Sequence, residues 1–172
     1  MHLIGLDDFR SRYRSVRRRF VHIELRDSYG IEAEDEPFQR WKAGDPDAHR
    51  LDGWCDVVRG MASRGVRMRR IKIVYEPLSD YQRFIRDASH VIPGAGEDIR
   101  WVNRREAATV MMPPTDFWVL DDNAVMFTFH SGSGGGHEYG LSEDPTVVRR
   151  CASAFDAAWD VATPHGEYRP GS

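Results

Sequence analysis

From Asp144-Pro145 to Pro164 the chain carries Val147, Val148, Cys151, Ala154, Phe155, Ala158, Trp159 and Ala162 at spacings of three and four. This is one face of an amphipathic helix, started by an Asp-Pro pair and stopped by Pro164. A helix with one wide apolar face must bury it against a second layer, and the segments available for that layer read as strands. Phe20 to Leu25 has β-branched and apolar content with partial alternation, and Val66 to Tyr75 alternates and then turns continuously apolar. Ile99–Val102 follows. Phe117–Leu120, the turn Asp121-Asp122-Asn123 and Ala124–Phe129 form a hairpin, with His137–Leu141 returning as a third strand.

Shorter helices fill the gaps. Asp7 and Asp8 cap one carrying Phe9, Tyr13 and Val16, while Glu34-Asp35-Glu36-Pro37 opens another that closes at Gly44-Asp45-Pro46. Asp52 precedes the stripe Trp54, Cys55, Val57, Val58, Met61, and Gly65 stands where a left-handed cap belongs. Ser79 or Asp80 caps a helix with Tyr81, Phe84, Ile85 and Ala88 before a loop at Pro93–Gly96. The order α-β-α-α-β-α-β-β-β-β-α has no internal repeat. It predicts an α/β fold, with α+β as the alternative: one domain over 1–172, a mixed sheet flanked by helices, and the C-terminal helix packed on that sheet. Residues 1–50 are expected as a subregion and 165–172 as a tail.

At 172 residues the chain can bury a core without disulfides, so Cys55 and Cys151 read as reduced. The first residues turn acidic after four apolar positions, unlike a signal peptide, and no apolar run approaches the roughly 18 residues of a membrane span. A cytoplasmic protein without membrane contact is expected. Of 24 basic residues only Lys42 and Lys72 are not Arg, a bias that GC-rich coding produces. Their placement is uneven: residues 1–70 sum to +3, 71–105 to +1 and 106–172 to −7. Such polarity suits a protein partner or self-association ahead of nucleic acid.

Most motif classes are absent. Ser131 to Gly136 is Gly-rich but lacks the Lys-Ser/Thr and the following helix of a phosphate loop, so it reads as a hairpin loop. His130, His137 and Glu138 flank it without a recognised metal spacing, and neither Cys has a second Cys nearby. No Gly-x-Ser-x-Gly elbow exists, and both Cys lie on or beside apolar helix faces. No metal or cofactor is expected.

Two constellations remain. Glu76, Asp80 and Tyr81 stand at the C-terminal end of a core strand, where open α/β sheets collect ligands; Arg100, between Ile99 and Trp101, needs a carboxylate that Glu76, Asp80 or Asp116 could supply. With Arg26 and Asp27, these form a candidate ligand site or ion-pair network. The second is the Arg face Arg10, Arg12, Arg14, Arg17, Arg18 and Arg19 beside Tyr13. It is read as solvated or paired with the acids at 32–36 ahead of nucleic-acid binding, because the pI is about 6.2. Of these, Arg10, Arg14, Arg17, Arg18 and Arg19 are the candidate partner patch.

The ordered strings Glu24–Tyr29, Glu36-Pro37-Phe38, Arg70–Tyr81, Glu97–Trp101, Asp116–Asp122 and Phe155–Trp159 to Pro164-His165 resemble an actinobacterial family known as DUF6879, from about Phe9 to Tyr168. That resemblance implies no reaction. Its members are commonly met beside helix-turn-helix regulators, which implies a regulatory accessory role with such a protein as partner. Residues 116–129, followed by the Asp-Pro helix ending in Phe155-x-x-x-Trp159, are also similar to the last part of a phospholipase D-like domain. Catalysis there needs His-x-Lys-x-x-x-x-Asp, and the positions two before Lys42 and Lys72 are Arg40 and Arg70. The expectation is a non-catalytic regulatory or sensor-like domain that works with a helix-turn-helix protein or binds a small anionic ligand. The alternatives are an enzyme centred on Glu76, Asp80, Arg100 and Asp116, and nucleic-acid binding through the Arg helix.

Overall fold

A computed structural model describes residues 1–45, 47–48, 51–131 and 137–171. Its sheet is mixed, in the order β1-β7-β6-β5-β2-β3-β4-β8. The strands are β1 (His2–Ile4), β2 (Arg19–Glu24), β3 (Arg67–Val74), β4 (Glu97–Asn103), β5 (Asp116–Leu120), β6 (Ala124–His130), β7 (His137–Ser142) and β8 (Thr163–Pro164). β2, β3 and β4 are parallel, and every other pairing is antiparallel. The sheet therefore changes sense between β2 and β5, at its centre. The edge strands β1 and β8 are too short to carry a period-2 signal and were not legible in the sequence.

Strand alternation divides the sheet into two unlike faces. Val21, Ile23, Ile71, Ile73, Val102, Phe117, Val119 and Val125 form one apolar face. The C-terminal helix α6 (Pro145–Val161) lies on it through Val148, Cys151, Ala154, Phe155, Ala158 and Trp159, as its stripe predicts. Asp144 caps α6 by accepting from Thr146 N–H at 2.7 Å.

Phe20, Met68, Ile99, Trp101, Leu120 and Met126 lie on the other face, under α1 (Leu6–Ser15), α3 (Asp52–Ala62) and α5 (Ile92–Ala95). Beyond α3, Gly65 adopts φ +80°, the left-handed position its place in the sequence predicts. Gly96 holds φ +116° so close to Ala62 that a Cβ would stand 2.9 Å from the Ala62 Cβ, which fixes how α3 meets β4. α2 (Glu32–Lys42) and α4 (Asp80–Ala88, capped by Ser79) pack together through Phe38, Trp41, Tyr81 and Phe84. Helix α2 begins earlier than its Pro suggests, because Glu32, Glu34 and Asp35 already stabilise its positive end, and Pro37 is left inside it. α2 ends at Lys42, just before the predicted closure at Gly44-Asp45-Pro46, and Gly44 takes φ +91°; Pro46 lies outside the described residues.

Two expectations about the chain ends change. Residues 1–50 do not stand apart, since β2 is a central strand. Residues 165–171 are not a loose tail: Tyr168 is buried, stacked on Trp101 with centroids 5.4 Å apart, and donates to Glu76.

The Arg face is also rearranged. α1 ends at Ser15, so Arg17 and Arg18 lie in the connection to β2 and Arg19 begins that strand. Among the described residues, the contacts they make are not with the acids at 32–36. The Asp121 carboxylate accepts from the N–H groups of Arg17, Arg18 and Arg19 at 2.9, 2.7 and 2.9 Å, and Asp122 and Asp156 pair with the Arg19 guanidinium. Arg12 reaches Glu143 at 3.0 Å. Arg10 is exposed, and Arg14 lies 5.9 Å from the Tyr13 ring. The basic first part and the acidic last third thus meet inside the molecule.

Candidate functional site

The helix-covered face of the sheet turns polar toward the C-terminal ends of β2 and β3. The same alternation that sends Phe20 and Met68 into the core sends His22, Glu24, Arg70 and Lys72 to that face, with Asp116, Trp118, Thr128 and His130 supplied by β5 and β6. α2 and α4 stand over this end without filling it. A cavity of about 630 Å³ results, with walls that include Trp54, Tyr29, Ile31, Tyr81, Ile85 and Tyr139. It lies where the sheet changes sense, the position at which α/β sheets gather ligands.

Its floor is a buried ionic network. Arg70 donates to Glu97 through Nε at 2.9 Å and Nη2 at 3.3 Å, and to Glu24 through Nη1 at 2.7 Å. Lys72 donates to the other Glu24 oxygen, and Trp54 Nε1 donates to Glu97 at 2.7 Å. Burial opposes ionisation of Glu24, yet Lys72 and Arg70 hold its carboxyl well below the usual range. Burial likewise opposes the Arg70 charge, and Glu97 with Glu24 more than restores it.

Around this network stand groups of another kind. His22 is stacked on Trp118 at 3.9 Å, and burial drives its pKa well below the ordinary value, which favours the neutral ring; its Nδ1 lies 3.5 Å from Glu24, and among the described residues neither ring nitrogen makes a hydrogen bond. Burial, with Arg26 and His137 nearby, lowers His130 to about 4. The Nε2 of His130, 3.7 Å from Asp116, and the Oγ1 of Thr128 are also buried without a hydrogen bond among the described residues. Asp116 accepts from Leu25 N–H at 2.8 Å and from Tyr29 O–H at 2.7 Å; burial raises its pKa to about 6.

The predicted constellation is dispersed. Asp116 and Tyr81 line the cavity, Tyr81 donating to Glu34 at 2.5 Å. Arg100 does not meet Glu76, Asp80 or Asp116. It projects from the α6 side of β4 and donates to the carbonyls of Trp159 and Ala162 at 3.0 and 3.3 Å, its guanidinium 4.3 Å from the Trp159 ring. Adjacent strand residues point to opposite faces, and a helix C-terminus satisfies an Arg as well as a carboxylate does. Glu76 accepts from Tyr168 and Gly171, and Asp80 is exposed beside Arg83 at 3.6 Å. Asp27 pairs with Arg104 at 2.8 Å, and Arg26 donates to Ser28 O at 3.2 Å. An enzyme centre made of Glu76, Asp80, Arg100 and Asp116 is therefore not assembled.

Sequence reasoning missed His22, Glu24, Arg70, Lys72 and Glu97. The signal was present: two polar residues two apart, at matching parity, in each of two apolar strands. Among the described residues no group of three or more His, Cys, Asp or Glu side chains could hold a metal ion, and His137 bonds Tyr139. The Gly-rich stretch 132–136 lies outside the described residues. Cys55 and Cys151 are buried and free, and burial pushes the Cys151 thiol up to about 11.

A family model described as a domain of unknown function, DUF6879, matches residues 7–170. The comparison with curated proteins returned no match. Among solved structures the chain is similar to Nuc, a phospholipase D family member from Salmonella typhimurium, with a TM-score of 0.56 and 12% identity over 92% of this chain and 87% of that one. It is also similar to NucT from Helicobacter pylori, with a TM-score of 0.51 and 12% identity over 92% and 89% of the two chains. At that identity the likeness establishes the fold, and the His-x-Lys pair is missing from this sequence. No helix is long and apolar enough among the described residues to cross a membrane. A family match over nearly the whole chain, on a sheet whose fold is phospholipase D-like, makes this protein a member of the DUF6879 family.

Proposed function

We propose that the domain is a non-catalytic, sensor-like module that binds a small molecule in the cavity between the polar floor and α2–α4. The observation that carries this reading is the set of buried polar atoms of His22, Thr128 and His130 that make no hydrogen bond among the described residues, in an aromatic-walled cavity, the two rings having only carboxylates at 3.5 and 3.7 Å. Buried polar atoms without partners are costly, and a ligand that bonds them recovers that cost. Catalysis is disfavoured because Arg70 and Lys72 are both committed to carboxylates, leaving neither poised to act on a substrate. The family resemblance supplies the expected reader of occupancy, a helix-turn-helix regulator. Co-purification of the two proteins tests that partner, and a clean separation at micromolar concentration counts against it.

Ligand binding is tested by a thermal-shift screen of small polar aromatic compounds. A ligand at a hundred times its Kd adds about 2.7 kcal/mol, roughly 5–10 °C in Tm for a domain of this size. Ile31→Trp, at a 45% exposed rim position, and Ile85→Trp fill the cavity mouth and should abolish the shift. A shift unchanged in both variants would place the ligand elsewhere.

A further inference from the structure

We infer that the cavity selects an organic cation, an amine carried on a flat aromatic body, with Asp116 as its counter-ion. This rests on the cavity being a ligand site and names the class of ligand. The charged residues lining it, among the described residues, are Glu24, Glu32, Glu34 and Asp116 against Arg70 and Lys72. Both cations are already matched. Arg70 bonds two carboxylates, and Lys72 holds the second oxygen of one of them. An anionic ligand would have to displace Glu24 or Glu97 from cations to which they are bound in a buried site, leaving a carboxylate behind without its partner.

Asp116 differs from the other acids of the floor. Its two bonds come from neutral donors, the Leu25 N–H and the Tyr29 O–H. His130 Nε2, 3.7 Å away, belongs to a ring whose charge burial suppresses. Among the described residues no Lys or Arg pairs with Asp116, although it is only 2% exposed and lines the cavity. Lys72 acts on Asp116 only at a distance, so this buried carboxylate has no cation bonded to it, and a bound ammonium group supplies one. The rings of Trp118, Tyr29, Tyr139 and Trp54 line the same space and give aromatic surface to a cation and its carrier, although His22 covers one face of Trp118 and Arg70 already lies 5.1 Å from the Trp54 ring. His22 and Thr128 add neutral hydrogen-bonding positions that favour no charge.

Three probes of nearly equal shape separate charge from shape: tryptamine, tryptophol and indole-3-propionate, titrated calorimetrically at neutral pH. The expected result is that tryptamine binds at least tenfold tighter than tryptophol, with indole-3-propionate the weakest. Asp116→Asn should remove the advantage of tryptamine and leave tryptophol unmoved. Glu32→Gln, at the exposed rim, should weaken tryptamine measurably, and far-UV circular dichroism of the variant checks that α2 is kept. If tryptophol or indole-3-propionate binds at least as tightly as tryptamine, and Ile31→Trp abolishes that binding, the inference about charge is overturned while the pocket reading stands. Binding of the probes that survives Ile31→Trp overturns both. If none of the three binds, the inference falls whatever the screen returns.

Discussion

Glu24→Gln should cost about 3–5 kcal/mol, the range for removing one partner of a buried ion pair. Glu24 is the hub of the floor network, accepting from Lys72 on one oxygen and from Arg70 on the other. Lys72 is 4% exposed, so water cannot take over its charge when the carboxylate goes, and Glu97 alone is left to balance two cations. Domains of this size are stable by only about 5–15 kcal/mol, and the loss should appear as a large drop in the urea midpoint. Adding Lys72→Met to Glu24→Gln should recover part of the stability, because the stranded cation is then gone. A loss below 1 kcal/mol, or no recovery in the double variant, would show that the network is not held together as its geometry implies. The pH dependence has a definite sign. The Glu24 carboxyl is depressed in the folded chain, so its contribution is complete above the unfolded value of about 4.3 and is lost as pH falls below that. Wild type should lose stability more steeply than Glu24→Gln on acidification below about pH 4.

Asp121→Ala is expected to cost about 3 kcal/mol, since three consecutive backbone N–H groups lose a charged acceptor at one stroke. The position is demanding in two ways. Asp121 and Asp122 take φ of 50° and 58° in the β5–β6 hairpin, where Asp and Asn are tolerated and Ala is strained. The same carboxylate ties that hairpin to the start of β2, the strand on which His22 and Glu24 stand. Burial tends to raise the Asp121 pKa, and the three amides hold it below the ordinary value, so this contribution is also lost in acid. Asp121→Asn keeps the backbone preference and one acceptor oxygen, and should lose about half as much. Equal losses for Asn and Ala would assign the effect to charge alone; no loss in either would remove the turn from the account. Chemical denaturation of the two variants side by side decides it.

Charge segregation along the chain suggested a partner when read in one dimension. Folding brings Asp122 and Asp156 against the Arg19 guanidinium and Glu143 against that of Arg12, so part of that polarity is matched within the molecule. Spacing can tell which residues share a face of one element. It cannot tell which elements become neighbours, because that depends on strand order.

Arg100 shows the same limit at the scale of one residue. Its burial and its need for a partner followed from Ile99 and Trp101, but its partner is the carboxyl end of α6, more than fifty positions away. Local pattern set the elements and their faces: α6 with its apolar stripe, β3 alternating and then continuously apolar, Gly65 in the left-handed cap. Those depend on backbone geometry and hydrophobic period, which a single stretch of residues carries. The candidate site is a product of the sheet order β5-β2-β3-β4, which sets Asp116, His22 and Glu24, Arg70 and Lys72, and Glu97 side by side on one face. Buried charges survive only where their partners stand across neighbouring strands, and that adjacency exists in the tertiary structure alone.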